Sequence, residues 1–315
     1  MLRTILLRLS QLIPVLFGVT LLSFLVNNAL PGNIVYDLLG ENPDPGAYHQ
    51  LKLQLGLNHP PVQRYFIWLG GVLHGNLGNS LLGGQSVASE IRNAAAPTIE
   101  LLIGAEVGAL ILCIGFAFWS VWTRSRTLDK VITSAALAGH CAPGFVVGLL
   151  FLLVFAVHWH LVQTTYQPIS AGWGANLTSM SLPIATLALG IFPAQMRVFR
   201  GDMLQQLERE DYVALATIKG LSKARIIFKH VAKNSASNLV TIVALSIGFL
   251  FGGVVIVEQV FTIPGIGGLL FSSIQAHNAP VVQGIVLCVA TVVVLANLVA
   301  DLTYTVLDPR VRYDV

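Results

Sequence analysis

The chain has 315 residues, 55% of them hydrophobic and 10% charged, with a formal net charge of +3 and a mean hydropathy of +0.74. A soluble globular domain carries about 25% charged residues, so 18 basic and 15 acidic side chains cannot clothe a water-facing surface of this size, which excludes an ordinary cytosolic enzyme and a disordered chain alike. An integral membrane protein remains, and 14 prolines with 29 glycines favour kinked, closely approaching helices over a barrel.

About 20 apolar residues cross a bilayer core, and six such windows follow one another: 9–30, 99–122, 132–157, 181–199, 239–261 and 281–306. The first is preceded by Arg3 and Arg8, is longer than the apolar core of a signal peptide, and is followed by Pro31. It therefore reads as an uncleaved helix. Residues 31–98 form a long external stretch rich in Pro and Gly, with short helical patches such as 61–73. His158 and His160 flank Trp159 beyond the third window, too closely for a helix-face metal pair, and suit a membrane interface. The segment 200–238 is neither apolar enough to span nor polar enough for disorder. Windows five and six are joined by an external turn containing Pro264-Gly265-Ile266-Gly267-Gly268. The three cysteines, Cys113, Cys141 and Cys288, lie inside apolar runs and read as small packing residues.

Fifteen of the 18 basic residues fall on one side of this arrangement, eight of them between Arg197 and Lys233; only Lys52, Arg64 and Arg92 fall on the other. Cytoplasmic loops hold the excess of Lys and Arg, so both termini are expected in the cytoplasm.

Within 200–238, the run 211–222 reads as a short amphipathic helix that stops at a glycine, with Tyr212, Leu215, Ala216 and Lys219 on one face. Glu210 and Asp211 complement its N-terminal dipole, and Gly220 supplies the left-handed residue that ends it. Ser222 then caps a second, basic helix running through Lys223, Arg225, Lys229 and Lys233. Two readings stay open: a basic helix resting on anionic lipid, or a docking element for a cytosolic partner, which the small corner of Ala216, Gly220 and Ser222 would suit.

Acids in or near the windows are Glu100, Glu106, Glu258 and Asp301. Facing lipid at mid-bilayer, each would cost about 2.5–3.5 kcal/mol, so they are expected to face protein or a water-filled path. Glu106 and Asp301 are assigned to structural pairing or the translocation path, with a proton relay as the alternative. Gly104-x-x-x-Gly108, Gly144-x-x-x-Gly148 and Gly248-x-x-x-Gly252 suit close helix crossings. Neither G-x-x-x-x-G-K-[ST] nor H-E-x-x-H occurs. The chain is therefore expected not to be an enzyme, with no catalytic residue, no metal site and no cofactor bound directly.

The order Asp211-Tyr212-Val213, Ala216, Lys219-Gly220-Leu221-Ser222 resembles the EAA-type coupling loop of ABC-transporter permeases of the dipeptide/oligopeptide class. Further matches run along nearly the whole chain. Leu30-Pro31-Gly32 follows the first helix. Leu55-Gly56-Leu57-Asn58, Pro60, Pro61, Gln63, Tyr65 and Trp68, then Gly75-Asn76-Leu77-Gly78-Asn79-Ser80, Val87 and Pro97-Thr98-Ile99-Glu100-Leu101, resemble the family's external domain. Glu258, Phe261 and Pro264-Gly265-Ile266-Gly267 match the turn after helix five; Asp301, Tyr304 and Asp308-Pro309-Arg310 match the C-terminus. The chain departs from the pattern with a neutral Ala214-Leu215 inside the loop, and with Asn76 and Asn278 in place of Asp.

The resemblance, and the long insertion after helix one that marks a B-type subunit, imply an all-α integral membrane protein of the type I ABC importer permease fold. Six transmembrane helices are implied: an N-terminal helix 1–30, an external domain 31–98, and a five-helix core 99–315 with a cytoplasmic coupling loop 200–238. The implied function is the transmembrane subunit of an ATP-driven peptide importer, multi-pass in a bacterial cytoplasmic (inner) membrane. Implied partners are a second homologous permease in a heterodimer, two cytosolic ATPase subunits carrying ATP and Mg, and an external substrate-binding protein, with no nucleic acid. Asp211, Tyr212, Ala216, Lys219, Gly220, Leu221 and Ser222 would dock the ATPase, and Glu258, Pro264, Gly265 and Gly267 are outer-gate candidates. The alternatives are a proton-coupled carrier or channel acting alone, and an ABC importer of nickel, glutathione or another small solute.

Overall fold

The computed structural model describes residues 2–29, 34–40, 42–123, 130, 134 and 142–307, with side chains for all of these but 2–12, 37 and 300–307. Leu30-Pro31-Gly32, Cys141, Arg124, Arg126 and Asp308-Pro309-Arg310 lie outside the described residues, and of Asp301 and Tyr304 only the helical backbone is described.

Among the described residues every extended regular element is a helix, and an isolated bridge pairs Asn79 with Ser86. The order is α1 (Leu2–Ala29), α2 (Ile34–Leu39), α3 (Pro45–Gln54), α4 (Pro61–Leu73), α5 (Val87–Thr123), α6 (Gly144–Phe151), α7 (Trp173–Arg209), α8 (Asp211–Ile218), α9 (Lys223–Val260), α10 (Ile266–Gln275) and α11 (Ala279–Leu307). Among the described residues, four helices are long and apolar enough to cross a membrane: α5, α7, α9 and the Ala279–Val299 part of α11. With 37 residues each, α5 and α7 reach roughly 55 Å, well beyond a hydrocarbon core of about 30 Å. The described part of the third expected span, α6 with the π-turns Leu152–His158 that continue it, is shorter than a bilayer core.

Two expectations are corrected. The basic helix after Ser222 is not separate: Lys223–Arg225 passes through a π-helical stretch, Ile226–Val231, into Ala232–Val260 as one rod. A run of apolar residues continues directly from the basic ones, so nothing stops the helix between them. The link between the last two windows holds more than a turn, because Gly265 starts the ten-residue α10.

The chain divides into two compact units. The first is Met1–Thr98 with Pro264–Val294. In it, Val87 and Ile91 of α5 close a small core with Val281 and Ile285 of α11. The Thr98 hydroxyl accepts from the Ile266 amide at 2.8 Å, satisfying one orphan donor of α10. Asn278 uses both ends of its amide: Nδ2 donates to Ser80 Oγ at 2.8 Å, and Oδ1 accepts from Leu81 N at 3.1 Å. The other family-position asparagine, Asn76, accepts from Gly78 N at 2.9 Å and shapes that turn.

Close approach is forced at Gly284, where a Cβ would lie 2.6 Å from Val87 Cγ1 and 3.3 Å from Ile91 Cδ1. Valine is branched at Cβ and cannot swing aside. Gly284→Ala is therefore expected to lower stability by about 1–3 kcal/mol, read as the thermal unfolding midpoint in detergent. Gly18→Ala, at a position with nothing within 4 Å, should leave that midpoint nearly unchanged.

The second unit is Ile99–Ile263 with Leu295–Val315. Helix α7 is its hub: half of its most apolar window is buried, against 22% for α9. A stripe on α5 recurring every fourth residue (Leu101, Ala105, Ala109, Cys113, Ala117, Val121) is fully buried, and its neighbours Gly104 and Gly108 lie against Ile184 and Ala188 of α7. Of the three glycine stripes, this is the one used at both positions for a helix crossing. Gly148 meets Phe261 and Thr186, whereas Gly144, Gly248 and Gly252 line an apolar groove of about 480 Å³.

Candidate functional site

Helix α7 ends at Arg209, and Glu210 is extended at φ −95°, ψ 126°, so the chain turns before α8 begins. Eight residues later α8 stops in a motif dictated by Gly220, whose φ of +73° is accessible to glycine without strain. The Leu221 amide donates to Ala216 O at 3.1 Å and the Gly220 amide to Thr217 O at 3.0 Å, the paired bonds of a Schellman ending. Ser222 follows as N-cap, its Oγ accepting from Arg225 N at 3.4 Å. Two helices are thereby locked at a fixed angle by four residues. The expected left-handed glycine and serine cap are both present.

The expected face of α8 is not. Val213 and Ala216 are buried, in one cluster with Ile226 and Ile227 of α9, and Tyr212 is half-buried. The Tyr212 hydroxyl donates to Gln206 Oε1 at 2.7 Å, and burial pushes its pKa above the usual tyrosine value. Leu215 and Lys219 instead point outward, together with Ile218. Period-four spacing allowed either stripe; the neighbouring Ile226 and Ile227 decided which one is covered. Ala216 therefore supports the helix from beneath. Asp211, Lys219, Gly220 and Ser222 are exposed, and Leu221 is half-buried.

Three ties brace this corner. Lys223 Nζ donates to Trp122 O at 2.6 Å and sits 5.0 Å from the Trp122 ring centre, a cation placed at the C-terminal end of α5 where the helix dipole favours it. Arg200 Nε donates to Ser120 Oγ at 2.8 Å. Phe228 stacks on Phe118 with centroids 4.5 Å apart, and Phe199 meets Phe118 edge-on at 6.2 Å. A groove of about 640 Å³ runs beside α8, with Glu208, Glu210 and Lys223 among its lining residues.

A second constellation lies further along the same unit. Glu106 Oε1 accepts from Gln195 Nε2 at 2.6 Å, and Glu106 Oε2 accepts from Ser246 Oγ at 2.8 Å, so one carboxylate ties α5 to α7 and α9. Gln195 is fully buried and its Oε1 has no partner among the described residues. Sequence reasoning found Glu106 and missed Gln195 and Ser246. The available signal was an amide inside an otherwise apolar window, since a buried polar group needs a partner.

Glu100 is an anchor for the connection between α6 and α7: its Oε2 accepts from Tyr166 OH at 3.2 Å and from Asn176 Nδ2 at 2.9 Å. Burial first, then the Glu100 charge, push the Tyr166 hydroxyl up to about 12, which keeps its proton in place. Glu258 is buried, and its carbonyl accepts from Ile263 N at 2.9 Å. Pro264 and Gly265 lead into α10, and Gly267 lies buried in its first turn. No cluster of three or more potential metal ligands exists among the described residues.

Bilayer-length helices, a carboxylate cross-tie among them and a short helix braced at the ends of two of them define a polytopic membrane protein. Residues 107–313 match the family described as binding-protein-dependent transport system inner membrane component. The chain is also similar to the dipeptide transport system permease protein DppB of Escherichia coli K12, 33% identical with 99% of each chain covered. DppB of Alkalihalophilus pseudofirmus is 34% identical over 97% of this chain and 98% of its own. A probable peptide ABC transporter permease protein, y4tP, of Sinorhizobium fredii is 31% identical over 98% and 99%. The chain belongs to the family of binding-protein-dependent transport system inner membrane components, and it is a multi-pass membrane protein.

Proposed function

We propose that the chain is the transmembrane permease subunit of an ATP-driven importer of peptides, with six transmembrane helices, residues 31–98 as an external domain and both termini in the cytoplasm. A second, homologous permease would complete the translocation path. Two cytosolic ATPase subunits would supply ATP binding and hydrolysis, and an external binding protein would deliver the peptide. The relatives named for dipeptide and peptide transport support the substrate class.

The observation that carries the reading is α8, held rigidly to α7 and α9 while presenting Leu215 and Ile218 outward, 56% and 82% exposed. Apolar side chains on a short exposed helix suit a cleft in another protein. The ATPase pair differs in shape between its ATP-bound and ATP-free states. A ligand shifts a two-state equilibrium only through contacts that differ between the states, and α8 supplies such a contact. Its displacement would be passed without slack through Gly220-Leu221-Ser222 into α9, and through Glu210 into α7. Glu258, Pro264, Gly265 and Gly267 would form part of the outer gate.

Co-purification tests the reading: an ATPase retained with the chain is expected, and peptide uptake by the isolated chain in liposomes would overturn it. The sidedness has its own check. A thiol at Gly83, exposed with open space around it, should react with a membrane-impermeant maleimide in intact cells with a permeabilised outer barrier. One at Ser222, exposed beyond α8, should react only after the inner membrane is opened. The reverse pattern would invert the topology.

A further inference from the structure

The helix α4 carries an apolar stripe that none of the described residues of its own unit covers: Val62, Phe66 and Leu73 are 68%, 56% and 80% exposed. Successive residues are about 100° apart round a helix, which puts these three within about 40° of one another. Its neighbouring face is fixed to α1. Tyr65 is buried there, with its hydroxyl 3.0 Å from Thr20 Oγ1 and its ring centre 5.4 Å from Phe24 and 6.0 Å from Phe17. Arg64 Nη2 donates to Asn28 Oδ1 at 2.5 Å.

These contacts give α4 a depth. At 1.5 Å per residue, Phe24 lies about 6 Å and Thr20 about 12 Å further down α1 than Asn28, away from its C-terminal end. Arg64 reaches up to Asn28 and Tyr65 reaches down to Thr20, so α4 crosses α1 near the level of Phe24. The contacts also give it an orientation. Arg64, the side chain that points towards the end of α1, lies roughly 160–180° round α4 from Val62, Phe66 and Leu73. The stripe therefore points the opposite way, towards the middle of α1.

The geometry points to α4 as an interfacial helix embedded in the outer leaflet, with Val62, Phe66 and Leu73 among the acyl chains and Arg64 at headgroup level. This rests on the reading of α1 as a span whose C-terminal end is external. A crossing about 6 Å below Asn28 matches the roughly 5–10 Å at which amphipathic helices settle. Water is a poor occupant for three large apolar side chains on one stripe. On the side away from the stripe, Ile67 (58% exposed) and Gly71 carry nothing that lipid would reject, and Arg64 is a charge that can stay at the surface while its stem is buried. Part of the 31–98 segment thus belongs to the membrane surface, and what meets an external partner lies elsewhere in it.

The test uses nitroxide labels on the assembled transporter in phosphatidylcholine–phosphatidylglycerol vesicles, in a background with Cys113, Cys141 and Cys288 replaced by alanine and uptake retained. Labels at Phe66→Cys and Leu73→Cys should collide more with oxygen than with a water-soluble nickel chelate, and a label at Gln63→Cys the reverse. Nickel access at positions 66 and 73 would overturn the proposal by placing α4 in water. Protection from both reagents there would overturn it in favour of a protein partner. An Ile13→Cys label on the exposed side of α1 separates the two layers. If it is oxygen-accessible and nickel-protected while 66 and 73 are not, only the placement of α4 fails; if it is nickel-accessible, the reading of α1 fails.

Discussion

Replacing Ile218 with aspartate is expected to abolish ATP-driven peptide uptake while the protein stays folded and inserted. Ile218 is 82% exposed and belongs to no core cluster among the described residues, so a charge there meets water in the free subunit and should shift stability by little. In the docked complex it would enter an apolar cleft. Truncation at an interface hot spot costs about 2 kcal/mol or more, a factor of about 30 in affinity, and an unpaired carboxylate adds its own desolvation. The measurement is retention of the ATPase during purification, beside uptake in cells. Gly220→Trp should give the same uptake defect by another route. Its position has open space, but a non-glycine residue at φ +73° is strained by about 1–2 kcal/mol, and the angle between α8 and α9 would open. Normal retention and uptake by both variants would remove docking at α8.

At Glu106 two substitutions should part company: alanine should lose uptake and stability together, and glutamine should keep both near the parent values. Alanine leaves the buried Gln195 amide without its closest acceptor, at about 1–3 kcal/mol, while the Ser246 hydroxyl keeps only Val243 O. Glutamine retains an oxygen for Gln195 Nε2. Its own amide can donate to Ser246 Oγ, whose proton then goes to Val243 O, already 2.6 Å away. The charge disappears and the network survives. Loss of uptake in the glutamine variant, with normal folding, would assign the carboxylate charge itself a role and revive the proton-carrier alternative.

Much of the fold was legible because bilayer physics leaves so few choices. Long apolar runs had to be helices, and α5, α7, α9 and α11 each overlap an expected window almost throughout. Their faces were not legible. Around α5 almost every residue is apolar, so the buried ladder from Leu101 to Val121 has no polar face to contrast with it, and only the neighbour identifies it. The local chemistry at Gly220 and Ser222 was readable, since a left-handed glycine and a serine cap work through adjacent backbone. The outward side of α8 was not readable, because it depended on Ile226 and Ile227 arriving from beyond the turn. Gln195 and Ser246 were hidden for a similar reason: their meaning comes from a carboxylate 89 and 140 residues away.

Helix α7 carries the largest mechanical implication. A rod of roughly 55 Å through a core of about 30 Å leaves some 25 Å for its protruding ends, and α8 hangs directly from one of them. In the proposed coupling it would act as a lever with its fulcrum in the lipid. If most of the overhang lies on the α8 side, a sideways pull of about 4 Å at the tip corresponds to a tilt of about 10° where the rod passes through the membrane. Shortening the overhang by one helical turn, with α8 left intact, would then weaken transport by changing the gearing alone.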